Sequence, residues 1–278
     1  MPVDFTKPAH ILAVHGVQTG TDDDIDSQQK IEKLTNNALA RSHIERDFES
    51  IGFYYEDIND KAQKFYRLLA RAITRGEPLV GAVLKQVIDL AGDVVTASAN
   101  TSTAKKIRRK LAKKILESYD SGNKLIIVSH SLGTVYALDT ICELINTDGL
   151  FNGDDRSSWP VQGLVTMGSP LGLDLEILGQ VVFAKRSIAP IDAQYQVLPW
   201  HNFFNRLDPI VSGHVFGSPV EISGSRGPVE RRYGTDTSQS QWLLHGHAVT
   251  SGKQWLLAHI AYWKNPRIGD RLVDMLWG

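Results

Sequence analysis

The stretch KLIIVSHSLGTVYALD, residues 124–139, constrains the fold more than any other part of the chain. Leu125 to Val128 is an unbroken apolar run, which reads as a strand buried on both faces. Ser129-His130-Ser131-Leu132-Gly133 follows at once, and apolar residues at helical spacing begin there. A strand that passes into a helix over so few residues must turn sharply. Two positions before and after the apex the backbone runs so close to its neighbours that only small side chains fit, and Ser129 and Gly133 meet that need. Ser131 is left at the apex. The turn is either a plain strand-to-helix connection or one that lifts a reactive hydroxyl out of the top of a sheet. In the second case the helix N-terminus aims N–H groups at the same spot, Leu132 N–H first, where an oxyanion could form.

The rest of the chain alternates in the same manner. HILAVHG (10–16), IGFYYEDIND (51–60), VQGLVTMGSPLG (161–172) and HNFFNRLDPIVSG (201–213) each read as a strand with its turn. Between them lie helical stripes, such as Ile31, Leu34, Ala38 and Leu39, and PRIGDRLVDMLWG closes the chain as a helix with Pro266 in its first turn. Strands that are short apolar runs alternating with helices predict an α/β fold, a mostly parallel sheet covered on both faces. Ligand chemistry in such sheets gathers at the carboxyl ends of the strands. Residues 217–241 are rich in Gly, Ser and Pro and predict a long polar loop.

Composition narrows the function classes. The net charge is −1 over 278 residues, so nothing global asks for nucleic acid. Cys142 is the single cysteine, which excludes an intrachain disulfide and a cysteine-held metal. No apolar run of about 18 residues predicts a membrane span, and no leader pattern opens the chain. The expectation is a soluble, cytoplasmic protein.

Ser129-His130-Ser131-Leu132-Gly133 resembles the G-x-S-x-G turn of the α/β-hydrolase family, in its serine-esterase and lipase-like branch, with Ser129 in place of the first glycine. Three further segments carry the resemblance. His15-Gly16 in AVHGVQTG is similar to the His-Gly pair whose following backbone supplies a second oxyanion donor, here Val17. TMGSPLG resembles the turn after the next strand, which makes Ser169 structural. AHIAYWKNPRI is similar to a His-x-x-Tyr-Trp-x-x-Pro pattern near the C-terminus of related esterases, which points to His259 with Tyr262 and Trp263. In this fold the acid follows the serine and the histidine follows the acid. Asp208, ending the strand in FFNRLDPIV, fits, with Asp174 as the alternative acid. His247 and His245, in LLHGHAV, are the alternative bases. For His15 itself a hydrogen-bonded core role is expected.

The resemblance implies a minimal α/β-hydrolase fold of about six strands in one domain spanning residues 1–278, without the two leading antiparallel strands common in the family. It implies a serine esterase acting on a small or lipid-like ester with no cofactor and no metal. An acyltransferase or thioesterase with the same three residues, or an inactive interaction module on the same fold, are the alternatives. The helical stretch over 61–100 exceeds what one crossover requires. It covers the sheet or leans over the strand ends as a small lid, and residues 178–198 are a second place for a small cap. AKKIRRKLAKK (104–114) could lie on an anionic membrane surface, but a solvated helix covering the sheet is the expectation. TDDDID (21–26) lacks the glycine and terminal glutamate of a calcium loop.

Overall fold

The computed structural model describes residues 3–16, 27–55, 102–172, 176–177, 180–181, 188–212, 226–234, 241–252 and 256–278. Six strands form one sheet: β1 (Ala9–Val14), β2 (Phe48–Phe53), β3 (Leu125–His130), β4 (Gly163–Met167), β5 (Leu198–Phe204) and β6 (Trp242–Ala248). Their order is β2-β1-β3-β4-β5-β6, and every neighbouring pair is parallel. The chain leaves β1 outward to β2 and then crosses back to β3. The winding therefore reverses between β1 and β3, and a parallel sheet opens its ligand crevice at that point, beyond the strand C-termini. This is the minimal α/β-hydrolase architecture that the resemblance implies.

Helices cover both faces because both faces of each central strand are apolar. On one face Leu125 and Ile127 of β3, Leu164 and Trp200 pack with Ile107, Leu111 and Ile115 of α2 (Ser102–Asp120) and with Val135, Leu138 and Ile141 of α3 (Gly133–Ile145). On the other face Ile126, Val128, Val165, Met167 and Phe203 meet Ile31 and Leu34 of α1 (Ser27–Ser42). The C-terminal helix brings Ile268, Leu272 and Leu276 to the same cluster. Each such side chain, fully buried, contributes about 1.5–3 kcal/mol. The basic stretch 104–114 is thus a covering helix: Ile107 and Leu111 point inward while Lys105, Lys106, Lys110, Lys113 and Lys114 are exposed.

Three expectations shift. The second strand begins at Phe48, three residues early, because the parallel register of β1 pairs Ala9 with Phe48. Among the described residues of the polar stretch 217–241, Pro228–Tyr233 forms a short helix, started by Pro228 after Gly227. Near the expected cap, Glu176–Ile177 and Gln180–Val181 pair as a small antiparallel ribbon. The lid stretch 61–100 and TDDDID lie outside the described residues. Among the described residues no helix is long and apolar enough to cross a membrane.

Candidate active site

Ser131 adopts φ +53°, a left-handed conformation that costs a non-glycine residue roughly 1–2 kcal/mol. Its surroundings hold it there. Ser131 N–H donates to Met167 O on β4 at 3.0 Å, and Ser131 O accepts from Thr134 N–H at 3.0 Å and from Thr134 Oγ1 at 2.7 Å. Thr134 Oγ1 also meets Ser169 Oγ at 2.8 Å, which gives Ser169 the structural place expected of it. Ser129 donates its hydroxyl to Val165 O at 3.1 Å and is fully buried.

The small-residue requirement has a direct cause. A side-chain carbon on Gly133 would stand 2.4 Å from His15 O and 2.7 Å from Val14 O, so α3 can start against the end of β1 only with glycine there. A carbon on Gly16 would meet Ser131 Cβ at 2.7 Å. The end of β1 therefore lies against the serine, at the reversal point of the sheet. Leu132 N–H, at the start of α3, has no acceptor among the described residues. Val17 lies outside them, as does Asp174.

The loop after β5 and the helix over Leu256–Ile260 bring Asp208 and His259 together. His259 Nδ1 donates to Asp208 Oδ2 at 2.8 Å, with the two residues 2% and 0% exposed. That bond leaves Nε2 as the imidazole's basic nitrogen. Tyr262 donates its hydroxyl to the same carboxylate oxygen at 2.8 Å, and Ile210 N–H donates to Asp208 Oδ1 at 2.9 Å. The carboxylate is fully satisfied, as a buried charge requires. Burial first, and then the charge on Asp208, push the Tyr262 phenol well above its ordinary range, so it stays a donor. Tyr262 Oη in turn accepts from Asn205 N–H at 2.8 Å, and Asn205 Nδ2 donates to Ser251 Oγ at 3.1 Å. The acid loop is thereby tied to the chain beyond β6.

His259 stands beside the serine turn. A side-chain carbon on Gly168, the residue after the carbonyl that accepts from Ser131, would come within 3.0 Å of His259 Cε1 and Nδ1 and 2.8 Å of the Tyr262 ring. Gly168 has φ +56°, so glycine is suited both to the conformation and to the contact. His130, the residue before Ser131, donates from Nε2 to His259 O at 2.8 Å and packs its ring 4.6 Å from that of His259. Burial, with the nearby His259 and His15 rings, lowers the His130 pKa well below the usual imidazole value. His15 lies in the core as expected, its Nδ1 donating to Gly16 O at 2.5 Å and its ring stacked 6.2 Å from Trp263.

The alternative bases sit elsewhere. His245 is exposed on β6, and His247 Nε2 is hydrogen-bonded to His201 Nδ1 at 2.9 Å. β6 lies three strands from β3, about 14 Å across the sheet. The motif His-x-x-Tyr points to Tyr262 in sequence, but its bond to the acid is a tertiary fact. Nothing in the sequence pattern marks Asn205 as the link between the acid loop and Ser251.

No family model matches the chain, and no curated protein matches it. Among solved structures, TT1662 from Thermus thermophilus is similar over 98% of this chain and 90% of its own, at 13% identity and a TM-score of 0.48. A structure described as an alpha-beta serine hydrolase homologue, from Coxiella burnetii, is similar over 98% of this chain and 87% of its own, at 10% identity and a TM-score of 0.39.

Proposed function

We propose that the chain, as one domain over residues 1–278, is a serine hydrolase that cleaves carboxylic esters through Ser131, His259 and Asp208. The observation that carries this reading is the buried His259 Nδ1–Asp208 Oδ2 bond of 2.8 Å, set beside a turn that holds Ser131 at φ +53°. A buried carboxylate on Nδ1 fixes the tautomer in which Nε2 can take a proton and steadies the imidazolium that results.

In the first half of the reaction Ser131 Oγ bonds to the ester carbonyl carbon while its proton passes to His259 Nε2. The carbonyl π electrons move to oxygen, and the oxyanion is held by Leu132 N–H and Val17 N–H. The tetrahedral intermediate collapses, the ester C–O bond breaks, and His259 returns the proton to the departing alcohol. In the second half a water molecule loses a proton to His259 and attacks the acyl-enzyme. Ser131 leaves with that proton, and the carboxylic acid is released. The steps require no cofactor.

Labelling with a fluorophosphonate probe and hydrolysis of short p-nitrophenyl esters test the reading together. The chain is expected to take one label, at Ser131, and Ser131→Ala is expected to lose both labelling and about 10³-fold or more of the hydrolysis rate. A folded chain that takes no label at Ser131 would remove the enzyme reading in favour of an interaction module. Acyl transfer to an added alcohol or thiol, outrunning hydrolysis, would reassign the chain as an acyltransferase.

A further inference from the structure

β5 and β6 carry three histidines on one face of the sheet. Side chains alternate along a strand, so His201 on β5 shares a face with His245 and His247 on β6. The register sets His201 opposite His245 and Phe203 opposite His247. His201 Nδ1 and His247 Nε2 share one proton across 2.9 Å. The His201 ring stacks on His245 at 5.1 Å, and His247 stacks on Phe203 at 4.7 Å. His201 Nε2, His247 Nδ1 and both nitrogens of His245 have no hydrogen-bond partner among the described residues.

The C-terminal helix (Pro266–Trp277) places two guanidinium groups against this face. Arg267 Nη1 donates to Ala248 O, at the end of β6, at 3.0 Å. Arg271 is one turn further along the same side of the helix. Among the described residues, the permanent charges that act on this histidine pair are Arg271 and Arg267. Burial, His247, Arg271 and His245 press His201 down to about 3, and burial, Arg271, Arg267 and His245 press His247 down to about 4. Among the described acids nearby, Asp274 is exposed and lies 3.4 Å from Arg271 Nη1 on the same helix, Asp270 pairs with Arg41, and Glu230 lies on the opposite face over Gly246. Two guanidinium groups and three imidazoles are gathered here, and among the described residues no carboxylate acts on the rings.

We propose that His201, His245, His247, Arg267 and Arg271 form a binding site for a tetrahedral oxyanion of the phosphate or sulfate class at the β5–β6 edge of the sheet. Such an anion adds negative charge at the rings, where Asp274, paired with Arg271, supplies none. It accepts from the guanidinium forks and from imidazole N–H groups, and charge-assisted bonds of this kind are the strong ones. A metal cation suits the place poorly, since it would face two guanidinium groups. Among the described residues no group of three His, Cys, Asp or Glu has the arrangement of a metal site. The bound anion favours protonated imidazole, so binding takes up protons.

Calorimetric titration of the whole chain with sodium sulfate tests the site, because sulfate stays a dianion across the range used. Sulfate is expected to bind more tightly at pH 6 than at pH 8. Repeating the titration in buffers of different ionisation enthalpy is expected to show net proton uptake. Arg271→Gln is expected to weaken binding about tenfold, and His247→Gln to reduce the proton uptake. If Arg271→Gln does not fold by circular dichroism, Arg267→Gln takes its place with the same expected loss. The proposal is overturned if sulfate produces no binding heat at either pH, if binding is unchanged in these variants, or if zinc ions alone bind the cluster and exclude sulfate.

Discussion

His259 and His247 both stand near the C-terminal ends of strands or just beyond them, and both have a ring nitrogen in a short hydrogen bond. The partners differ in sign. His259 gives its Nδ1 proton to a buried carboxylate, whereas His247 shares a proton with another imidazole and faces two arginines. A general base must become positively charged during each turnover. Asp208 supports that state, and Arg267 and Arg271 oppose it. Neighbouring charges, more than the residue type, decide what an imidazole can do.

Removing each ring in turn has the largest expected effect. His259→Ala is expected to lower ester hydrolysis by about 10³-fold, while His247→Ala leaves it within about twofold. Steady-state kinetics on a p-nitrophenyl ester decides the matter, and equal losses would erase the distinction. Removing the partner charge is nearly as severe. Asp208→Asn keeps the shape but permits the wrong tautomer, and a loss in kcat approaching about 10³–10⁴-fold is expected, with KM little changed.

A smaller effect is expected at Tyr262. Tyr262→Phe removes one donor to Asp208 and leaves Asn205 N–H without its acceptor. Thermal or urea unfolding should show a cost of about 1–3 kcal/mol, with kcat reduced by about tenfold or less. A variant as stable and as active as the parent would show that His259 and Ile210 N–H position the acid without Tyr262.

The mildest test lies on the arginine side and reads stability against pH. His201 and His247 have folded values near 3 and 4, depressed from an unfolded value of 6.5. Between these limits the unfolded chain binds more protons than the folded one. The stability that goes with the neutral rings is therefore complete above about pH 6.5, and it is lost as pH falls toward 4 and below. Thermal melting from pH 7 to pH 4 should show this decline, and His247→Gln should flatten part of it. A decline unchanged in His247→Gln would assign the acid sensitivity to other groups.

Much of the fold can be read from the sequence because its signals are local. Leu125 to Val128 are apolar on every residue, and β3 is buried on every residue. Ser129 and Gly133 mark the turn because the clash they avoid, Gly133 against His15 O, arises wherever a helix starts that close to a neighbouring strand. Boundaries were harder. β2 starts at Phe48 because its register with β1 says so, and register is a property of two segments about 40 residues apart in the chain. The helix Pro228–Tyr233 is six residues long, too short for periodicity to reveal within a polar stretch.

An alternating α/β chain, with a serine at a tight strand-to-helix turn and the small residues that turn needs, is legible in the sequence alone. The same sequence offers Asp208 and Asp174 as acids and His259, His247 and His245 as bases. The buried hydrogen bond between Asp208 and His259, with Tyr262 beside it, and the place of His247 among arginines arise only from the folded arrangement. The reason is range. Backbone sterics and apolar periodicity act over a few neighbouring residues, whereas the charge around an imidazole is set by side chains that three or four distant segments bring to within a few ångströms of it.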